Sequence, residues 1–225
     1  HGSYAALRSG MCYEGLMDLT GAPTLYRRFD DDDVPFDDLK RYDESSYVIC
    51  ASTPGVDTLS EGGATDPDEG GLVPGHAYSL ISAREIELSG ELADHPWTQR
   101  EGRPTSVRLL KMRNPWGSFE WGGTWSDNSD EMMWDNGRMR DVLDASDDDG
   151  EPEVAANDGA FWMTFEDFKS NFVSVSVCFT HAPTTKRCAH PAPWDDSQER
   201  RLKPAFSPPA ATAVPTAHPT LEAKE

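Results

Sequence analysis

The chain has 225 residues, 37% of them hydrophobic, so it is long enough to bury one sizeable core. Forty acidic against twenty basic residues give a formal net charge of −20, which disfavours nucleic acid and anionic membranes as partners and favours divalent cations. No apolar run reaches the roughly 18 residues that span a bilayer, and no charged and then apolar leader opens the chain.

The first third of the chain predicts two short helices and a strand. Residues 14–21 carry apolar positions closed by a glycine, which is typical of a helix and its C-terminal cap. An acidic stretch from Asp30 leads into a second short helix near Leu39. Residues 47–51 form an apolar run bounded by turn formers, as in a buried strand. Residues 53–74 are mostly glycine, proline and acids, so we expect a long mobile loop there.

Two longer strand-like runs, residues 76–88 and 107–113, are joined by a polar segment that contains glycines and prolines. In an antiparallel hairpin, the start of the first strand lies opposite the end of the second. His76 and Asn114 are roughly symmetric about the centre of the connection, at residues 95–97. We therefore expect the hairpin to bring these two side chains together at one edge of a sheet.

The remainder of the chain predicts loops, one helix, one strand and a tail. Residues 117–158 are rich in tryptophan and acids and indicate loops. Thr164 is typical of a helix N-cap, and the helix 165–172 is followed by a period-two strand at 173–179. Eight of the seventeen prolines fall between residues 183 and 219. The pattern predicts one domain over residues 1–181 and a Pro/Ala-rich linker or disordered tail over 182–225.

A histidine followed by an asparagine is the proton-handling half of a cysteine-protease triad. A thiolate attacks a peptide carbonyl when a neighbouring imidazole lowers its pKa, and a neutral amide can orient that imidazole. Taken singly, His76 is more simply explained as a core histidine, Asn114 with Pro115 as a turn, and Trp116 as a core aromatic. Their joint placement at matched ends of one hairpin favours catalysis.

Several motifs in sequence order carry a family resemblance. They are GHAYS at 75–79, RNPWG at 113–117, EW at 120–121, WSD at 125–127, DG at 158–159, FWM at 161–163 and FEDF at 165–168, with GSY at 2–4 and DLTG at 18–21. Over residues 1 to about 180 the chain resembles the calpain family of cysteine proteases. The resemblance covers the second lobe of the protease core. It implies an α+β, papain-like protease lobe built on an antiparallel sheet, with short helices and long loops.

The resemblance implies a role for each residue of the hairpin edge. His76 corresponds to the catalytic base, Asn114 to the residue that orients it, and Trp116 to the aromatic that shields the pair from water. The loop 53–74 corresponds to one that lines the cleft. The family's nucleophile lies in a Gly-x-x-Gly-Asp-Cys-Trp segment of the first lobe, and the 225 residues contain no such segment.

The four cysteines are scattered, which is typical of thiols in a reducing compartment, and we expect a cytoplasmic protein. Cys12 and Cys50 are expected to be structural. Because the chain begins at His1 without an initiator methionine, we expect a fragment whose parent chain supplies the missing N-terminal protease lobe. Without that lobe we expect the chain to be inactive.

The resemblance also implies calcium as a cofactor. The acids that match the family's second-lobe site are Glu120, Asp127 and Asp158, whereas Ala160 stands where the family has a further glutamate. Ca²⁺ takes six to eight oxygen ligands, so the loss of one carboxylate weakens the expected site.

Three functions remain open at this stage. The first is a calcium-stimulated endopeptidase that makes limited cuts in intracellular proteins. The second is a catalytically inactive calpain homologue that acts as a calcium-sensing or protein-interaction module. The third, a secreted papain-like hydrolase, is disfavoured by the thiols and by the lack of a leader.

Overall fold

A computed structural model describes residues 10–55, 70–144 and 158–181. In chain order its elements are α1 (Cys12–Thr20), β1 (Thr24–Arg28), α2 (Phe36–Glu44), β2 (Val48–Ser52), β3 (Ala77–Glu87), β4 (Ser106–Arg113), α3 (Asp130–Asp144), β5 (Ala160–Thr164), α4 (Phe165–Asn171) and β6 (Ser174–Cys178). The predicted tail 182–225 and most of the predicted loop 53–74 lie outside the described residues.

The six strands form one sheet in the order β1-β6-β2-β3-β4-β5, and every neighbouring pair is antiparallel. The predicted α+β class with an antiparallel sheet is therefore confirmed. The predicted helices at 14–21 and near Leu39 are α1 and α2, and Gly21 closes α1 in the left-handed conformation with φ of 68°. Strands β1 and β5 were not predicted from the sequence.

Apolar side chains cover both faces of the sheet around β4 and β5. Leu110 and Met112 belong to a core that includes the aromatic side chains of α2 and α4. Leu109 and Trp162 belong to a second cluster on the opposite face. Because both faces are covered, all five residues of β5 are buried, and this strand shows no alternation of polar and apolar residues.

The prediction of loops throughout 117–158 is wrong for the stretch that forms α3. This helix packs Met132, Met139 and Leu143 into the second cluster. Its backbone leaves helical geometry from Trp134 to Gly137, with positive φ at the last three of these residues. The Asn-Gly dipeptide at this kink is a turn signal that breaks the helical period, which is why the sequence pattern indicates a loop.

The N-cap predicted at Thr164 is confirmed. Its hydroxyl accepts a hydrogen bond from the backbone N–H of Asp167 at 3.0 Å. The same hydroxyl and that of Thr124 each donate to the Asp167 carboxylate at 2.8 Å. The cap therefore starts α4, and Asp167 also ties the tryptophan-rich loop to the first turn of this helix. No helix among the described residues is long and apolar enough to cross a bilayer.

A fully buried histidine lies in the connection between β3 and β4. The His95 ring stacks on Trp125 with centroids 5.1 Å apart and meets Trp134 edge-on at 5.0 Å. Its Nδ1 accepts from the backbone N–H of Trp97, so Nε2 carries the hydrogen and donates to the Glu131 carbonyl at 3.0 Å. Burial lowers the pKa of the His95 imidazole, and its contacts with Glu131 oppose this shift in part.

This burial predicts an acid-dependent loss of stability. The pKa of His95 in the folded chain lies below its unfolded value of about 6.5. The stabilisation by neutral His95 is therefore complete above about pH 6.5 and is lost as the pH falls from there toward the folded pKa. In that window it accounts for up to about 1.4 kcal/mol of unfolding free energy per pH unit. Urea unfolding between pH 7.5 and 5 should show a shallower pH slope for His95→Gln than for the parent chain. The exposed His181→Gln is the matched control, and equal slopes for parent and His95→Gln would contradict the prediction.

Candidate active site

The register of the β3–β4 ladder determines which side chains meet at its open end. Ser79 pairs with Arg113, and one extra residue, Ile81, is accommodated between Leu80 and Ser82 as a bulge. Continuing this register places Asn114 opposite Tyr78, on the face that also carries His76. If Ile81 were instead paired with Met112 in a regular ladder, Asn114 would lie opposite Ser79 and point to the other face, since a one-residue slip reverses every side chain.

The hairpin brings His76 and Asn114 into direct contact, as the spacing predicted. His76 Nε2 and Asn114 Oδ1 are 3.0 Å apart. The two residues are diagonal neighbours and not a directly paired couple, because the bulge places Asn114 opposite Tyr78, two residues after His76. Asn114 is fully buried, whereas His76 is half-buried and retains access to solvent.

Backbone groups fix the orientation of the Asn114 side-chain amide. Its Oδ1 accepts from the backbone N–H of Trp116 at 3.0 Å, and its Nδ2 donates to the carbonyl of Phe119 at 3.3 Å. If the amide oxygen and nitrogen were exchanged, the NH₂ group would face the N–H of Trp116 and the oxygen would face the carbonyl of Phe119, so neither hydrogen bond could form. Since Oδ1 only accepts, His76 Nε2 must carry a hydrogen, and the neutral ring then has its lone pair on Nδ1.

A tight turn after β4 positions the aromatic side chain next to this pair. The N–H of Gly117 donates to the carbonyl of Asn114 at 3.0 Å, and Pro115 occupies the second position of the turn, where its fixed φ is favourable. The Trp116 ring lies against the His76 ring, with centroids 4.3 Å apart and planes at 47°. Trp116 is 42% exposed, so it covers the histidine on one side and faces solvent on the other.

The backbone of His76 is held by Thr53, which lies outside the motifs of the sequence. The Thr53 hydroxyl accepts from the His76 N–H at 2.9 Å and donates to the carbonyl of Val73 at 2.7 Å. The backbone N–H of Thr53 donates to the carbonyl of His76 at 3.0 Å. The Tyr78 hydroxyl accepts from the N–H of Val73 at 2.8 Å. The motif at 75–79 contains Tyr78, whereas Thr53 lies 23 residues earlier, and no local pattern connects it to the site.

The C-terminal end of the predicted mobile loop is anchored against the turn region. The N–H of Gly122 donates to the carbonyl of Gly70 at 2.8 Å, and Leu72 and Val73 are buried. A side chain at Gly71 would meet the carbonyl oxygen of Glu120 at 2.2 Å. The last residues of this segment are therefore packed against the loop that follows Trp116.

Gly159 contacts the other side of Asn114. Its carbonyl accepts from the Asn114 N–H at 2.7 Å, and its own N–H donates to the Glu120 carboxylate at 2.7 Å. It has φ of 87°, and a Cβ there would lie 2.6 Å from the Asn114 carbonyl oxygen and 2.8 Å from the Gly117 Cα. Only glycine fits this position without moving Asn114.

The structure brings together only part of the predicted calcium site. Glu120 and Asp158 meet at one turn, where their carboxylates accept from the adjacent N–H groups of Gly159 and Ala160. Across residues 10–55, 70–144 and 158–181, no three His, Cys, Asp or Glu side chains are placed so that they could hold a metal ion. The predicted set of Glu120, Asp127 and Asp158 therefore does not form a three-carboxylate site in this arrangement.

The three described cysteines lie in the region of α1. Cys12 begins this helix, and its sulfur lies 3.8 Å from the hydroxyl oxygen of Ser52, two residues after Cys50 in β2. Cys178 in β6 lies with its sulfur 3.4 Å from the Thr20 hydroxyl at the other end of α1. Cys188 lies outside the described residues.

A histidine whose Nε2 is fixed by a buried asparagine amide is the arrangement of the Cys-His-Asn class of proteases. The sequence model for calpain family cysteine proteases matches residues 1–179, and the chain belongs to that family. The resemblance stated from the motifs is thereby confirmed.

Individual relatives agree with this assignment. The chain is 32% identical over 188 residues to calpain-8 of Rattus norvegicus, with 79% of this chain and 22% of that protein covered. It is 33% identical over 180 residues to the calpain-1 catalytic subunit of Sus scrofa, with 79% and 21% covered. It is 35% identical over 188 residues to calpain clp-4 of Caenorhabditis elegans, with 79% and 22% covered. The chain thus spans about a fifth of the length of these relatives.

The close approach at Gly159 gives a stability test. Gly159→Ala should lower the unfolding free energy by about 3 kcal/mol, because it adds a clash with Asn114 to the strain of positive φ. Gly102→Ala is the matched control, since Gly102 has φ of 82° but no atom within 4 Å of a new Cβ, and it should cost about 1 kcal/mol. Urea unfolding measures both, and equal losses would show that the approach to Asn114 is not the constraint.

Proposed function

We propose that this chain supplies the histidine and the asparagine of a calpain-type cysteine endopeptidase. The observation that carries the proposal is the 3.0 Å contact between His76 Nε2 and Asn114 Oδ1, with the amide orientation fixed by the backbone. The nucleophilic thiol would come from a Gly-Asp-Cys-Trp segment outside these 225 residues. Cys12, Cys50 and Cys178 occupy other positions in the fold, near α1.

In the proposed mechanism His76 moves protons through Nδ1. The lone pair on Nδ1 takes the proton of the attacking thiol, and the imidazolium that forms keeps its Nε2 hydrogen bond to Asn114. Because an amide is neutral and does not accept that proton, the imidazolium returns the Nδ1 proton to the leaving amine of the substrate. The acyl-enzyme thioester is then hydrolysed with His76 as the base for water.

The surroundings of the pair support this role. Asn114 is fully buried, and Trp116 packs on the His76 ring, so the hydrogen bond lies in a region of low dielectric where it is stronger than in water. We propose Trp116 as the residue that shields the pair from water. The face that carries Trp116 and Phe119, which are 42% and 39% exposed, would line the cleft against the N-terminal protease lobe of the same parent chain.

We propose protein substrates in the cytoplasm, cut at a limited number of sites. A face with the partly exposed aromatic side chains of Trp116 and Phe119 suits an extended polypeptide. The alternative is a catalytically inactive calpain homologue that uses the same aromatic face as a protein-interaction module. The parental sequence before His1 discriminates the two, since only the enzyme needs a Gly-Asp-Cys-Trp segment there.

The catalytic assignment predicts the behaviour of the parent protein, measured by cleavage of a fluorogenic peptide. His76→Ala should abolish cleavage, and Asn114→Ala should lower kcat by roughly 10²-fold or more with little change in KM, because an unoriented imidazole is a poor base. His181→Ala, which removes an exposed histidine remote in sequence from the motif, is the control and should retain activity. Wild-type cleavage by His76→Ala would refute the assignment. The isolated chain should be inactive.

We propose that calcium stimulates the parent protein and that Glu120 and Asp158 contribute to binding it in this lobe. The support is the convergence of their carboxylates on the Gly159 turn and the net charge of −20. A bound ion would supply no chemistry to the peptide bond and would act by holding the turn that contacts Asn114.

This part of the proposal predicts a change in thermal stability. Millimolar calcium should raise the melting temperature of the chain, and Glu120→Gln should remove the rise while its amide oxygen still accepts from Gly159. Asp127→Ala should retain the rise, because the structure does not group Asp127 with the other two carboxylates. A melting curve that calcium leaves unchanged would contradict calcium binding by this lobe. A shift that is lost only in Asp127→Ala would contradict the assignment of Glu120.

A further inference from the structure

The outer face of the sheet carries a row of thiols and hydroxyls beneath α1. In the β2–β6 ladder Cys50 pairs with Ser176, and Cys178 lies two residues further along the same face. The opposite face at this point carries the apolar residues Ile49 and Val177, which belong to the core. Cysteines 50 and 178 therefore lie outside the main core, under a helix in which no residue is fully buried.

The two ends of α1 contact this row at different points. At its first turn the Cys12 sulfur lies 3.8 Å from the Ser52 hydroxyl oxygen, and Cys50 is the neighbouring residue on the same face of β2. At its last turn the Thr20 hydroxyl lies 3.4 Å from the Cys178 sulfur. The helix thus aligns Cys12 with Cys50 and leaves Cys178 at the opposite end.

The two paired thiols have different acidities. Hydrogen bonds from the Cys50 thiol and the Ser52 hydroxyl, together with a backbone N–H at the start of α1, lower the pKa of Cys12 despite its partial burial. The Cys12 thiolate and burial raise the pKa of Cys50, which therefore keeps its proton. Both side chains are half-buried, so a small oxidant can reach them. A low-pKa, accessible thiol beside a second cysteine is the usual arrangement of a redox-sensing pair.

We propose that Cys12 and Cys50 form a peroxide-sensitive thiol pair that closes to a disulfide between α1 and β2. The Cys12 thiolate attacks one oxygen of hydrogen peroxide, the O–O bond breaks, and Cys12 becomes a sulfenic acid as hydroxide leaves. The Cys50 sulfur then attacks the Cys12 sulfur, the S–O bond breaks, and the departing hydroxide takes the Cys50 proton to give water. Overall two thiols lose two electrons and peroxide is reduced to two molecules of water.

The location of the pair gives the disulfide a specific structural consequence. Cys50 and Ser52 belong to the strand that leads directly into Thr53, whose hydroxyl accepts from the His76 N–H at 2.9 Å. A bond between Cys12 and Cys50 would fix α1, an otherwise half-exposed helix, to that strand. It also closes a covalent loop around β1 and α2, which restricts the unfolded chain and should raise the melting temperature of the oxidised form.

The test uses the full 225-residue chain, hydrogen peroxide at one to five equivalents, and peptide mass spectrometry after trapping the remaining thiols with N-ethylmaleimide. The expected product is a peptide linking Cys12 to Cys50, with a higher melting temperature that dithiothreitol reverses. Before oxidation, Cys12 should react with iodoacetamide at pH 7 at least tenfold faster than Cys50.

Three single variants make the outcome specific, and far-ultraviolet circular dichroism checks that each is folded. Cys50→Ser should accumulate a dimedone-reactive sulfenic acid on Cys12, because the second thiol is gone. Cys12→Ser should leave Cys50 alkylatable after the same treatment. Cys178→Ser is the matched control and should form the same disulfide as the parent chain. A linkage of Cys50 to Cys178 or to Cys188, or a stable sulfenic acid on Cys12 in the parent chain, would overturn the proposal.

Discussion

The orientation of one side-chain amide is the constraint on which the candidate site depends. Asn114 Oδ1 can accept from His76 only while the N–H of Trp116 and the carbonyl of Phe119 hold the amide in one of its two orientations. The backbone groups that hold it come from the turn directly after β4. Gly159 then limits the space on the other side of Asn114. The histidine tautomer is therefore determined by the backbone geometry that orients Asn114.

The two hydrophobic clusters lie on opposite faces of β4, and one of them adjoins the candidate site. The cluster that includes Tyr78 and Phe161 lies under the His76 edge, and Tyr78 contacts both the His76 ring and the N–H of Val73. The second cluster, with Trp125 and α3, packs on the other face of β4, and the buried His95 stacks on its Trp125. Protonation of His95 therefore acts on the face of the sheet that carries the second cluster, whereas His76 adjoins the first cluster on the opposite face.

Residue types and spacing were sufficient for the hairpin, the N-cap at Thr164 and the meeting of His76 with Asn114, because each depends on local pattern and strand pairing. Other features depend on tertiary contacts that leave no local signal. Thr53 reaches His76 across 23 residues, and β5 lacks alternation because both of its faces are covered. The bulge at Ile81 is one apolar residue among others in the strand, so no residue pattern marks the register shift. The family resemblance implied one calcium site with three acids, whereas in the fold two of them, Glu120 and Asp158, bind the adjacent N–H groups of the Gly159 turn.

The residue after Asn114 has a consequence for the chemical lifetime of the site. Asparagine deamidates when the backbone nitrogen of the next residue, after losing its hydrogen, attacks the side-chain carbonyl and forms a cyclic imide. Pro115 has no such hydrogen, so this route from Asn114 to aspartate is closed. A carboxylate at this position would place a negative charge 3.0 Å from His76 Nε2 and would change the proton affinity of the ring. The proline that shapes the turn thus also protects the neutral amide from ageing.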